Sequence, residues 1–325
     1  MKFTTISAKV FGHESPDVQI PAMEREKGSE SEARIPDIDD GYEFDRNHLS
    51  VVNAFLNAAW TEGSREGLKI IGPTGSGKTS LFEQVCARLN VPVVSVTAHD
   101  RMEVPELISS IVAVEGSTLT VDGPLTQAMR NGWPFVLNED DLLEPGTSTG
   151  LNDIIERGFV VVPSTNEVIK AAPGFAFVTT SNTGGAGDET GLYVSTKVQN
   201  LAFRDRFIKL VVDYMPAQKE LALLKKKFQD VPDTALKGFI DVANMIRDAF
   251  KEGTGMDVTM STRVLLRWIR LSCQFSGMAS RGISPVHYAM DLALANGLSA
   301  GVYTSLHQMV EQVIGVPQTL PTPGA

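Results

Sequence analysis

The stretch Gly72-Pro73-Thr74-Gly75-Ser76-Gly77-Lys78-Thr79 decides how the rest of this 325-residue chain is read. An apolar run, Leu68 to Ile71, leads into it, and a helical pattern from Ser80 to Leu89 leads out. Strand, glycine-rich turn and helix in that order make a phosphate-binding loop. Its glycines let backbone N–H groups turn inward around phosphate oxygens, and the helix N-terminus adds its positive dipole end. Lys78 reaches the β- and γ-phosphates, and the Thr79 hydroxyl ligates Mg²⁺. The expected nucleotide contacts are Gly72, Pro73, Thr74, Gly75, Ser76, Gly77, Lys78, Thr79 and Ser80, with ATP and Mg²⁺ as cofactors.

Working outward, further runs of strand length occur at Pro92 to Val96, Pro134 to Leu137, Phe175 to Thr180 and Phe207 to Val212, separated by helical patterns. That alternation predicts an α/β sandwich around a five-stranded parallel sheet. Two β-branched stretches around turn residues predict hairpin insertions, one through Gly116 and one through Pro163 to Asn166. Upstream, Val51, Val52, Phe55, Leu56 and Ala59 fall on one helical face, with Asn47 as the expected cap and Gly63 as the stop. Past Pro216 the pattern turns helical until Ile314. The expected division is an N-terminal arm over 1–46 with a flexible middle, an α/β core over 47–212, an α-helical lid over 213–316 and a loose tail over 317–325.

A phosphate-loop enzyme needs an acidic pair at the tip of a neighbouring strand, to hold the magnesium shell and orient the attacking water. After Trp133-Pro134-Phe135-Val136-Leu137 come Asn138-Glu139-Asp140-Asp141. Glu139 stands at the water-polarising position and Asn138 where the metal-side Asp is expected. A slipped register, Glu139 for the metal and Asp140 for the water, would put Asn138 among the apolar strand positions. Asp140 and Asp141 otherwise read as solvated charges. Asn182, at the end of the fourth strand, either fixes the attacking water by its amide or serves the glycine-rich loop that follows. Arg206 precedes the fifth strand, as a surface cation or as an arginine inserted into a neighbouring subunit's site. Arg263 follows the helix cap Ser261 and either reaches back to nucleotide phosphates or is solvated.

Composition excludes several classes. Hydrophobic residues make up 42% and charged residues 21%, enough for a sizeable core and against global disorder. Net charge is -10, and residues 1–47 alone carry six basic against eleven acidic residues, a balance of -5. Neither part offers the clustered cations that a nucleic-acid backbone requires. There is no apolar run of about 18 residues and no signal-peptide core near Met1, so a cytoplasmic protein without membrane contact is expected. The two cysteines, Cys86 and Cys273, suit a reducing compartment and read as core packing. The five histidines show no metal-ligand spacing.

Taken together, these motifs resemble ring-forming AAA+ ATPases of the MoxR kind and, more narrowly, the small ATPase subunits of aerobic cobaltochelatases. The narrower likeness rests on Val10-Phe11-Gly12, Pro36-Asp37-Ile38-Asp39, Tyr42 to Arg46, the Gly187-to-Tyr193 loop, Asp205-Arg206 and Met260-Ser261-Thr262-Arg263. The resemblance implies Gly72 to Thr79 as Walker A, Asn138 and Glu139 as Walker B, Asn182 as sensor 1, Arg206 as a trans-acting finger and Arg263 as sensor 2. Glu139, Asn182, Arg206 and Arg263 would then be catalytic, with Thr79 and Asn138 serving the metal. It also implies a hexameric ring, hairpins turned to the pore or a partner, and a VWA-domain protein partner. At Asn138 the chain departs from the family's Asp, which bears on hydrolysis more than on nucleotide binding.

Overall fold

The computed structural model describes residues 3–315 except 14, 16, 115, 189, 190, 192, 194 and 254. The expected tail over 317–325 lies outside the described residues, as do Glu189, Thr190 and Leu192 of the loop that supports the narrower resemblance. Eleven strands are described: β1 Phe3–Ser7, β2 Gln19–Met23, β3 Gly67–Ile71, β4 Val94–Thr97, β5 Ser109–Val114, β6 Ser117–Asp122, β7 Pro134–Asn138, β8 Phe159–Val161, β9 Val168–Lys170, β10 Ala176–Ser181 and β11 Phe207–Val211. Five of them form one parallel sheet in the order β11-β3-β10-β7-β4. In chain order that is 5-1-4-3-2, which sets the strand carrying the phosphate loop between two neighbours. The C-terminal tips of β3, β7 and β10 therefore share one edge, where an open α/β sheet binds its ligand.

The sheet sits between two cores because its strands alternate faces. In β7, Phe135 and Leu137 join one core while Val136 joins the other. Leu68, Ile70 and Val178 share the second core with Phe55 and Leu56 of the helix Arg46–Thr61 and with Leu81, Phe82 and Val85 of the helix Lys78–Arg88. The first of these helices is capped by Asp45, whose carboxylate accepts from Asn47 N–H and His48 N–H. The expected cap, Asn47, is already inside the helix, since Asp45 two residues earlier takes up the free N–H groups of the first turn. The two hairpins are β5 with β6 and β8 with β9.

The N-terminal segment is bound to this unit by directed contacts. Strands β1 and β2 pair antiparallel, and Met23 N–H donates to the Leu89 carbonyl. Arg88 donates to the carbonyls of Val10 and Asp39 and lies 4.9 Å from the Phe44 ring centroid, while Gln84 bonds the backbone of Asp37 and Asp39. Arm residues that carry the narrower resemblance thus contact the helix following the phosphate loop. The middle of the arm, expected to be flexible, holds a helical turn, Glu30–Ala33, capped by Ser29 and braced by an Arg25–Glu32 pair at 2.7 Å.

By its internal contacts the chain divides into a unit of residues 1–73 and 77–212 and a unit of residues 74–76 and 213–325. The second unit is helical: Ala217–Lys227, Asp233–Lys251, Thr262–Gln274, Pro285–Met290 continuing into a π turn, and Ala300–Ile314. Trp268 is fully buried there against Phe239, edge-on at 4.5 Å. Arg247 forms a buried two-pronged pair with Glu220, both bonds at 2.8 Å. Cys86 is buried, as expected, whereas Cys273 is exposed near the end of its helix and plays no part in a core. No helix among the described residues is long and apolar enough to cross a membrane.

Candidate nucleotide site

The phosphate loop leaves β3 and enters the helix Lys78–Arg88 through Gly77, at φ 90° in the left-handed region where only glycine is unstrained. Lys78 folds back over the loop. Its ammonium donates to the carbonyls of Gly72 (2.7 Å) and Pro73 (3.0 Å) and to Asn182 Oδ1 (2.9 Å). All three acceptors are neutral, and burial pulls the Lys78 pKa down to about 8 against the opposing pull of Asp141 and Glu139. A largely dehydrated cation with neutral partners is suited to an incoming polyphosphate. Asn182, just past the end of β10, thus meets the loop lysine through its Oδ1.

Asn138 is held from three sides. Its Oδ1 accepts from Thr79 Oγ1 at 2.7 Å and from Thr180 Oγ1 at 3.2 Å, and its Nδ2 donates to Ser95 Oγ at 2.8 Å. The amide oxygen therefore faces the hydroxyl expected to ligate Mg²⁺. The oxygen-only donor set suits that ion, which keeps much of its water shell and takes few direct protein ligands. Glu139 is exposed at the tip, with its backbone in the left-handed region at φ 57°. For a non-glycine residue that conformation is strained, and it is held by Glu139 N–H donating to Thr180 Oγ1 at 3.1 Å.

Asp140 and Asp141 are not solvated: they are 0% and 1% exposed. The Asp141 carboxylate accepts from Ser181 Oγ (2.6 Å), Thr183 N–H (3.0 Å), Thr183 Oγ1 (3.1 Å), Gly185 N–H (3.1 Å) and Asn182 N–H. It is Asp141, rather than the Asn182 side chain, that organises the loop after β10. Asp140 lies 2.6 Å from the ammonium of Lys69, itself fully buried in the middle of β3. The carboxylate oxygens meet no donor at good hydrogen-bond angles, so the Lys69 charge holds them, and burial raises the Asp140 pKa despite that charge. Residues 68–71 pass for an apolar run, so Lys69 escapes a reading by strand length. The available signal is a lysine at an interior position of a parallel strand, where a charge is rare unless paired.

Arg206 lies elsewhere. Its carbonyl accepts from Gly67 N–H at 2.9 Å, level with the start of β3, whereas the phosphate loop begins past the strand's end. Five residues at about 3.3 Å each separate the two levels by about 16 Å, beyond an arginine's reach. Its guanidinium pairs with Glu156 at 2.6 Å and donates to the Ala202 carbonyl. Arg263 belongs to the helical unit, exposed in the first turn of Thr262–Gln274 after the Ser261 cap.

A strand-edge phosphate loop faced by a polar strand tip and an asparagine amide is the arrangement of a P-loop NTPase. Residues 67–207 match the AAA domain of the dynein-related subfamily, and residues 220–313 match the CbbQ/NirQ/NorQ C-terminal domain. The chain is 31% identical over 290 residues to the aerobic cobaltochelatase subunit CobS of a Sinorhizobium species, covering 85% of this chain and 82% of that one. It belongs to that family, the MoxR/CbbQ-type AAA+ ATPases related to CobS. An uncharacterized protein of Staphylococcus haemolyticus is 31% identical over 60% of this chain and 73% of its own. A solved putative ATPase from Cytophaga hutchinsonii superimposes with a TM-score of 0.43 at 12% identity, over 87% of this chain and 91% of that one.

Proposed function

We propose that the chain binds and hydrolyses ATP with Mg²⁺ as one subunit of a hexameric ring in the cytoplasm, and uses turnover to remodel or activate a protein partner. The observation that carries this reading is the hydrogen-bonded set Lys78, Asn182, Thr79 and Asn138 at one sheet edge. Lys78 binds the β- and γ-phosphates, cradled by backbone N–H groups from Gly72 to Thr79 and by Ser80. Glu139 takes the proton of the attacking water, and Asn182 orients that water. Thr79 and Asn138 hold the Mg²⁺ site; bound Mg²⁺ supplies charge neutralisation on the phosphates. The burial of Asp140 against Lys69 supports this assignment over the slipped register, since a carboxylate committed to a buried ion pair is not free to polarise water.

The distance of Arg206 from its own phosphate loop supports a role in the neighbouring subunit's site, where its charge offsets that developing on the γ-phosphate. Arg263 is assigned to phosphate sensing from the lid. Both hairpins expose apolar side chains, Ile111, Val112, Leu119, Val161 and Val168 among them. Thr120 Oγ1 and Ser164 Oγ tie the two hairpins together at 2.9 Å, and the joint surface is assigned to the pore or partner. CobS being a cobaltochelatase subunit, a VWA-domain protein is the partner assigned by likeness; nucleic acid is disfavoured by the charge.

Lys78→Ala tests the site: ATP affinity in a direct titration should fall about tenfold or more, for the loss of a charge-assisted contact. Unchanged affinity would remove the phosphate-loop assignment. Asn138, a neutral group where a charge is expected, favours a second reading, a nucleotide-gated scaffold with little hydrolysis. ATP turnover by the purified protein separates the two.

A further inference from the structure

Lys69 is the anomaly of the central sheet. Its neighbours Leu68 and Ile70 enter one core, so its own side chain enters the other, at a position flanked by apolar residues. There its ammonium lies 5.2 Å from the ring centroids of both Phe203 and Phe207, 2.6 Å from Asp140 Oδ2 and 2.7 Å from Gln199 Oε1. Gln199 closes the triangle: its Nε2 donates to the Asp140 carbonyl at 2.7 Å, and its backbone N–H donates to the Gly185 carbonyl at 3.0 Å. Lys197 N–H donates to the Asp141 carbonyl at 2.7 Å. Immediately after Gln199, Asn200 caps the helix Leu201–Arg204, and Arg206 follows. A buried ion pair is weak evidence for stability, because apolar side chains of similar volume often serve as well or better. What this one does that apolar residues could not is fix three segments in one register.

We infer that Lys69, Asp140 and Gln199 form a positioning unit that couples the Glu139 loop of a subunit's own site to Arg206. Asp140 adjoins Glu139. Phe203 and Phe207, against the Lys69 ammonium, bracket Arg206 and stack edge-on at 4.9 Å. A shift of the Glu139 loop therefore moves the segment that aims Arg206, through contacts with little freedom to dissipate it. The inference rests on the reading that Arg206 acts across a subunit boundary. Lys69 and Gln199 touch no reacting atom in this scheme and are positioning residues.

The test is a double-mutant cycle on the full-length protein: Gln199→Met, Arg206→Ala and both together, each measured for ATP affinity by direct titration and for kcat and KM. Gln199→Met keeps the length of the side chain and the Lys69–Asp140 pair while removing both amide bonds. It should lower kcat about tenfold and leave ATP affinity within about twofold, and the double variant should turn over no more slowly than Arg206→Ala alone, since one broken coupling cannot be lost twice. Losses that multiply, or a Gln199→Met protein at full kcat, overturn the coupling. Wild-type turnover by Arg206→Ala overturns the reading of Arg206 and the coupling with it. A slow Arg206→Ala combined with multiplying losses overturns the coupling alone. A second cycle with Lys69→Met/Asp140→Leu, an apolar replacement of the pair, guards against misfolding of Gln199→Met. ATP binding with turnover no lower than that of Arg206→Ala alone, once Arg206→Ala is added to the apolar pair, supports the coupling, and a lower turnover overturns it.

Discussion

Asn138→Asp is the change whose size can be worked from the structure. Oδ1 of the new carboxylate keeps its two hydroxyl donors, Thr79 at 2.7 Å and Thr180 at 3.2 Å. Its other oxygen replaces the amide that now donates to Ser95 Oγ, and the Ser95 hydroxyl can rotate to donate instead. No polar group is orphaned, so the fold should tolerate the change. A hydrogen bond to a charged group contributes about 1.5 to 3 kcal/mol where a neutral one contributes about 1. Mg²⁺-bound water facing a carboxylate instead of an amide should gain about 0.5 to 2 kcal/mol, or about two- to thirtyfold in Mg²⁺ affinity. The assay is ATPase rate against Mg²⁺ at fixed ATP. The half-maximal Mg²⁺ concentration should fall by that factor in Asn138→Asp, while Glu139→Gln should abolish turnover and still bind ATP. An unchanged or raised Mg²⁺ midpoint in Asn138→Asp would refute the placement of Asn138 on the metal side, and full activity in Glu139→Gln would refute the choice of base.

The remaining expectations concern Lys78, Arg206 and the buried Lys69–Asp140 pair. With the Lys78 pKa lowered to about 8, its ammonium is present below that pH and is lost as pH rises through it, so ATP affinity should be flat below pH 8 and decline above it, by at most about tenfold per pH unit. A flat titration profile to pH 10 would count against Lys78 as the phosphate contact. Arg206→Ala should bind ATP normally, lose most turnover and poison wild-type subunits when mixed; activity strictly proportional to the wild-type fraction would count against action in trans. Lys69→Met leaves Asp140 buried without its cation and should lower unfolding free energy by about 3 to 5 kcal/mol in a denaturant titration, whereas Lys69→Met/Asp140→Leu should recover most of that loss.

What the sequence determined by itself is what local pattern encodes. The phosphate loop is contiguous, so its eight residues identify it without reference to anything distant, and each strand of the parallel sheet is a short apolar run bounded by turn residues. The positions of Asn138, Glu139 and Asn182 at strand tips follow from those same runs, and so does their shared edge once the sheet is parallel. Buried charge is different, because it becomes tolerable only through a partner remote in the chain. Lys69 reads as part of an apolar strand and Asp140 and Asp141 as solvated; tertiary structure joins Lys69 to Asp140 and to Gln199 and gives Asp141 the N–H groups of residues 182, 183 and 185. The N-terminal segment is a second case: its sequence suggests an arm with a flexible middle but not where the arm docks, and Gln84 and Arg88 of the phosphate-loop helix satisfy its backbone at Val10, Asp37 and Asp39. Desolvating a charge or a backbone group costs several kcal/mol until a matching group arrives, and where that group comes from is decided by the fold rather than by any neighbour in sequence.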